Sequence, residues 1–200
     1  YTYYAHRAIM ILFTTEYATR NSQATYNATL LNGLRQGGLG AGCTDLDSSA
    51  YDTWNASNPF LPCGYGNSLG NATGVTNYLV YADSSLTTSM PRYRGIENPF
   101  GHIHKQTDGV NLDTANYTAY VSRNPASFND TNFASMLNIG TYESLSGVFI
   151  KSMISGHVIA DDAGSTGTSD STYFCDRWHT DQGDPLHTVR FGGYALEGSA

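Results

Sequence analysis

The chain predicts an α+β fold: one N-terminal helix, many short antiparallel strands, and long ordered loops between them. Three observations predict it. One helical period opens the chain. Short runs of strand-like alternation, bounded by turn residues, fill its second half. Between them, residues 32–77 are so dense in Gly, Asn, Ser and Pro that both periods vanish. At 200 residues the length suits a single domain spanning 1–200.

The helix is expected over HRAIMILFTTEYATRN (6–21). Ile9, Leu12, Phe13 and Tyr17 recur at helical spacing and should line one buried face, with Arg20 in the last turn and Asn21 ending it. Residues 32–77 should form a long ordered loop, because Tyr51, Trp54, Phe60 and Tyr65 argue for packing over disorder. Strands are expected at NYLVYA (77–82), PRYRGI (91–96), GHIHKQTDGVNL (101–112), TAYVSR (118–123), GVFIKSMI (147–154), STYFCDRWH (171–179) and HTVRFGGYA (187–195). DDAGSTGTSD (161–170) reads as a second loop.

Charge narrows the partners. Net charge is −7, no basic stripe exists, and Lys occurs only at 105 and 151. A phosphate backbone is therefore not an expected partner, and no nucleic acid is assigned. The longest apolar run, AIMILF (8–13), is far too short to span a bilayer, so no membrane insertion is expected. Charged residues make up only 14% of the chain, and the surface polarity must come from Asn, Ser, Thr, Gly and 15 Tyr. That composition suits either a contact surface for varied ligands or a loop-rich extracellular or virion protein. YTYYAHRAIM carries no basic region followed by an apolar one, and the chain stops in mid-pattern at YALEGSA, so a longer parent protein is expected.

Several motifs invite chemistry. GNSLG (66–70) matches a nucleophile elbow, but NATGVTN follows where a helix should start, and a turn is the better reading. GGLGAG (37–42) lacks the Lys-Ser/Thr of a phosphate cradle. His102 and His104 would share one face of a strand, with Glu97 or Asp108 as further ligands, yet nothing fixes the rest of a metal shell. The acids of 161–184 (Asp161, Asp162, Asp170, Asp176, Asp181, Asp184) are where a loop calcium would fit, but they lack the alternating spacing of a calcium loop. No metal and no cofactor are assigned. Cys43, Cys63 and Cys175 include no C-x-x-C pair; Cys43 and Cys63 bridged across a loop and three separate thiols both stay open.

NPFGHIHKQTDG (98–109) resembles the G-N-V-W-E-W-T-x-D segment of the formylglycine-generating-enzyme-like family, and VRFGGYALEGSA (189–200) resembles its R-G-G-S-W segment, in the right order. RYRGIENPFG (92–101), NSLGN-x-TG (67–74) and YFCDRW (173–178) are similar to one branch of that family. These are the C-type-lectin-fold variable proteins of bacteriophages and gut bacteria, whose C-terminal tip is rewritten by diversity-generating retroelements. The resemblance covers nearly the whole chain from His6. The family's two Trp are here His104 and Gln106, so the role of that strand departs from the pattern.

The resemblance implies a C-type lectin fold and a binding module without catalysis. It implies a phage receptor-binding, head-fibre or tail-fibre protein that recognises a bacterial surface glycan or protein and sits among other virion proteins; a homotrimer is compatible with this, though the sequence does not specify it. A bacterial surface adhesin and a structural decoration protein of the virion are the alternatives. An oxidase producing formylglycine is disfavoured, because the family's first thiol falls at Glu197. By the same analogy Arg94, Gly95, Glu97, Gly101, Asp108, Gly192 and Gly193 form a structural frame, with Glu97 paired to Arg92 or Arg94. Tyr194, Ala195, Leu196, Glu197 and Ser199 then carry the ligand contacts, on a base that includes a core Phe191.

Overall fold

The computed structural model describes residues 1–18, 30–31, 34–35, 64–79, 87–97, 99, 105–164, 177–180 and 186–191. Its elements in chain order are α1 (Tyr3–Tyr17), β1 (Leu30–Leu31), β2 (Leu34–Arg35), β3 (Gly74–Leu79), β4 (Thr87–Tyr93), β5 (Ile96–Glu97), β6 (Lys105–Asp113), β7 (Thr118–Val121), β8 (Leu137–Thr141), β9 (Val148–Met153), β10 (Ala160–Gly164), β11 (Arg177–Trp178) and β12 (Leu186–Phe191), with 3-10 turns at Tyr65–Leu69 and Pro125–Ser127. The class is α+β, and every paired strand whose register is defined runs antiparallel. Contacts divide the chain into two compact units, Tyr1–Asn21 with Lys105–Arg190, and Ser22–His104 with Phe191–Ala200.

In the first unit α1 packs on β6. The helix starts earlier than its apolar period suggests. Thr2 is its N-cap and accepts a hydrogen bond from the Ala5 amide, and Ala18 ends it in the left-handed conformation (φ 50°). The buried stripe is Tyr3, His6, Ile9, Met10 and Phe13. Leu12, expected inside, is 47% exposed, and Tyr17 is half-buried. The true stripe is rotated toward Tyr3 and His6, two polar aromatics that a count of aliphatic side chains passes over. Arg20 and Asn21 lie outside the described residues.

The main sheet has the order β12-β6-β7-β8. Val110 pairs with Val121 and Leu112 with Ala119, and all four are buried. These cross-strand pairs fasten one face of the hairpin to the core. The other face of β6 offers Gly109, Asn111 and Asp113, which are buried too. Residues 122–133 cover them. Asn111 Nδ2 donates to the Asn129 carbonyl at 2.7 Å, and Tyr120 stacks on Phe133 with centroids 4.4 Å apart. Asp113 accepts from the Ala115 and Asn116 amides and from Asn116 Nδ2, which closes the β6–β7 turn.

The covering segment has no period of its own. Successive Asn side chains order it locally: Asn124 accepts from the Ala126 amide, Asn129 from Thr131 and Asn132, and Asn132 from Ala134.

A second sheet, β10-β9-β11, completes this unit. β10 corrects the expected loop at 161–170 over its first four residues. Asp161 and Asp162 are consecutive exposed residues between buried Ala160 and Ala163, and the register with β9 slips on both sides of Asp162. That bulge erases the alternation that would have marked a strand. β8, at Leu137–Thr141, was not foreseen either; Asn138 Oδ1 accepts from the Gly140 amide, and Gly140 holds φ 127°. Trp178, on β11, donates its indole N–H to the Glu143 carbonyl at 2.8 Å.

In the second unit the sheet order is β3-β4-β5. β3 and β4 pair from Gly74↔Arg92 to Leu79↔Thr87. Arg94 (φ 48°) and Gly95 (φ 83°) make the two-residue turn between β4 and β5. Two positive φ values in a two-residue loop match the twist of the flanking strands. β5 reaches only Arg92 and Tyr93, so Pro91 sits where β4 has a partner on one side alone, and its missing N–H costs no ladder bond there.

Gly109 carries the tightest constraint in β6. Its φ is +83°, and a Cβ there would lie 2.7 Å from the Ser122 carbonyl oxygen and 2.8 Å from the Phe128 ring. Gly109→Ala should therefore cost at least about 1–3 kcal/mol, read as a fall in the thermal melting midpoint. A melting curve unchanged by this substitution would show that β6 and β7 do not pair as described.

Candidate functional site

RYRGIE (92–97) builds the densest polar constellation of the second unit. The two-residue turn at Arg94–Gly95 folds β5 back on β4, so Arg92 and Glu97 become register partners. Arg92 Nη1 lies 3.2 Å from Glu97 Oε1. Of the two cationic partners that spacing allows Glu97, the geometry selects Arg92; Arg94 sits in the turn and is exposed.

Both carboxylate oxygens of Glu97 are engaged further. Oε2 accepts from the Gly64 amide at 2.8 Å, and Oε1 accepts from the Gly66 amide at 2.7 Å. Arg92 reaches the same loop: Nε donates to the Gly70 carbonyl at 2.8 Å, and the Nη1 that faces Glu97 also donates to Asn67 Oδ1 at 3.2 Å. The Arg92–Glu97 pair thus grips residues 64–70 at both ends.

Charge-assisted bonds to amides are strong, and each charge here has its partners, which offsets the cost of half-burying it. A carboxylate whose two oxygens accept three N–H bonds is a clip, not an available base. Gly95 fits the same joint closely, since a Cβ on it would come 2.9 Å from Asn71 Oδ1. GNSLG lies inside the clipped segment as a 3-10 turn, so Ser68 stands on no strand-to-helix elbow.

The remaining candidates are dispersed. Asp108 is exposed on β6; its amide donates to the Tyr1 carbonyl at 2.9 Å, and Thr2 forms an isolated parallel bridge with it. Asp162 pairs with Lys151 at 3.5 Å, and Asp161 accepts from the Ser152 hydroxyl. Phe191, expected in the core, is half-buried at the end of β12. His102, His104, Gly101, Gly192, Gly193, Tyr194, Ala195, Leu196, Glu197, Ser199, the three cysteines, and Asp170, Asp176, Asp181 and Asp184 lie outside the described residues. Among the described residues no group of three or more His, Cys, Asp or Glu is gathered as a metal site, and no helix is long and apolar enough to cross a membrane.

Sequence reading missed one polar cluster, at the start of α1. His6 is 6% exposed and is hydrogen-bonded through Nδ1 to the Tyr1 hydroxyl at 3.2 Å. Burial, and then the charge of Lys105, push its pKa down to about 3. Burial lowers Lys105 itself to about 8, and raises the Tyr1 and Tyr3 phenols to about 12. His6 is therefore neutral at neutral pH and serves as a packed, hydrogen-bonded ring. The available sequence signal was position: His6 falls one turn after Tyr3 and one before Ile9.

Comparison with protein-family models, with curated proteins and with solved structures found no match.

Two outcomes follow for these clusters. Glu97→Ala leaves two amides and the Arg92 guanidinium without their acceptor and should cost roughly 2–4 kcal/mol, with Glu97→Gln costing less because one oxygen remains. Denaturant melts of both variants check the order. For His6, the unfolded chain takes up a proton near pH 6.5 while the folded chain resists it down to about pH 3. Stability must then fall as pH drops through that window. His6→Gln should flatten that part of the melting-versus-pH curve relative to the parent, and parallel curves would mean His6 titrates as in an open chain.

Proposed function

We propose that this chain is a ligand-binding module of a bacteriophage virion, a receptor-binding, head-fibre or tail-fibre protein with the C-type lectin fold in its formylglycine-enzyme-like form. It recognises a glycan or protein of the bacterial surface and performs no catalysis. The observation that carries the reading is the Arg92–Glu97 clip on residues 64–70. RYRGIENPFG and NSLGN-x-TG are two of the segments that resemble the variable-tip proteins, and the clip ties them into one joint. A protein whose tip is rewritten needs a frame whose stability does not depend on the tip, and a self-satisfied ion pair in a tight hairpin supplies one.

The surface chemistry agrees. Tyr presents contact area at low entropic cost, and Ser, Gly and Asn give adaptable hydrogen bonds. The chain carries 15 Tyr and 21 Gly against only two Lys, a composition suited to neutral recognition. Single contacts of this kind are weak, so several copies on one particle, as in a homotrimeric fibre, raise the effective affinity. The contact residues assigned are Tyr194, Ala195, Leu196, Glu197 and Ser199, following Gly192 and Gly193.

Tyr194→Ala and Glu197→Ala should leave the melting midpoint within about 0.5 kcal/mol of the parent and reduce attachment to host cells. Phe191→Ala should cost roughly 1–3 kcal/mol, less than for a fully buried ring, because Phe191 is half-buried. The measurement is thermal melting beside a cell-binding assay on the same variants. Tip variants that bind cells as well as the parent would place the ligand surface elsewhere. Retention on purified capsids without cell binding would favour a decoration protein.

A further inference from the structure

Charge in the first unit is unevenly placed. The whole chain has 10 basic and 17 acidic residues, yet two of its arginines converge on one tyrosine. The Arg123 guanidinium lies 4.6 Å from the Tyr4 ring centroid and that of Arg7 lies 5.7 Å from it. Both distances fall within cation–π range, so the ring organises two like charges that would otherwise repel. Neither arginine has a carboxylate within ion-pair distance among the described residues, although acids outnumber bases in the chain.

Arg7 is fixed as well as stacked. Its Nε donates to the Gly156 carbonyl, which pins the guanidinium and leaves its terminal nitrogens without a protein acceptor among the described residues. Arg123 is exposed, with its guanidinium over the Tyr4 ring.

A third polar group, His157, stands beside Arg7. The Tyr3 hydroxyl accepts from the Val158 amide at 3.1 Å and is hydrogen-bonded to His157 Nδ1 at 2.9 Å. The His157 ring is half-buried and stacked on Tyr3, and burial, then the nearby Arg7 charge, push its pKa down. Tyr3 meets Tyr4 edge-on at 5.5 Å, which links the two aromatic supports.

Two guanidiniums seated on one ring, with N–H donors unspent among the described residues, cost little further ordering when an acceptor arrives. We infer that Arg7 and Arg123, held on Tyr4, form a binding site for an oxyanion of the phosphate or carboxylate type on the surface of the first unit. Guanidinium forks match both groups bidentately. The inference uses none of the tip residues assigned above and stands or falls without them. The net charge of −7 repels extended polyanions, so the ligand is a single anionic group or a short array of them, such as a phosphorylated or uronic-acid-bearing sugar.

The test is a titration of the full chain, at low and matched ionic strength, with inorganic phosphate in one arm and glucuronate in the other, followed by calorimetry or NMR. The parent should bind at least one of them in the millimolar range. Arg123→Ala should weaken that binding roughly tenfold with an unchanged melting midpoint, since Arg123 is exposed. Arg123→Lys should recover part of it, and Arg123→Gln serves in place of the alanine variant if that one folds poorly. Tighter binding of phosphate than of glucuronate assigns a phosphorylated ligand, and the reverse order an acidic sugar. No binding of either anion by the parent, or equal binding by the parent and the Arg123 variants, overturns the assignment.

Discussion

The first unit depends on one buried phenol. Tyr3 is 0% exposed, and its hydroxyl is tied to the Val158 amide and to His157. A buried hydroxyl must be hydrogen-bonded or it costs more than its ring contributes. Satisfying it fixes where the start of α1 meets the β9–β10 turn. From that point the helix lies along β6, and the stripe from His6 to Phe13 is committed to the core. His157 owes its orientation to the same bond, and the arginine pair on Tyr4 stands one residue away along the helix.

The second unit solves a related problem with charge. A hairpin of only two β5 residues has little ladder to hold it. Arg92 and Glu97 make up the deficit by reaching past the hairpin to the backbone of 64–70, where Gly64 and Gly66 donate their amides. Such a joint is specified by direction rather than by area. It suits a segment that has no hydrophobic period with which to anchor itself.

How much of this was legible follows from which residues carry the signal. β6, β7 and β9 were read correctly because their apolar residues alternate or run continuously over several positions. The helix was found, but its face was misplaced, since Tyr3 and His6 bury polar rings and Leu12 is left 47% exposed. β10 was hidden by its bulge at Asp162, and β8 by Asn138 and Gly140, residues that usually mark turns. In the site, the Arg92–Glu97 pairing could be foreseen from a hairpin spacing. Its grip on Gly64 and Gly66 could not, because backbone donors leave no mark in sequence. The Tyr4 arginine pair was illegible for a related reason: Arg7 and Arg123 are far apart in the chain and meet only through the packing of α1 beside the end of β7.

The separation between Tyr3 and Val158 also governs how the polypeptide can acquire its structure. The segment forming α1 is synthesised long before the residues that satisfy Tyr3, and at 5–20 residues per second the delay is roughly ten to thirty seconds. A lone 15-residue helix is marginal in water, so its apolar stripe waits first for β6 and then, at Tyr3, for the β9–β10 turn before its native cover is complete. Native contacts joining the two ends of so long a stretch raise the contact order and slow the search. The nascent chain thus has a window of vulnerability to association through residues 3–13, narrowed when β6 arrives and closed at Tyr3 by the β9–β10 turn.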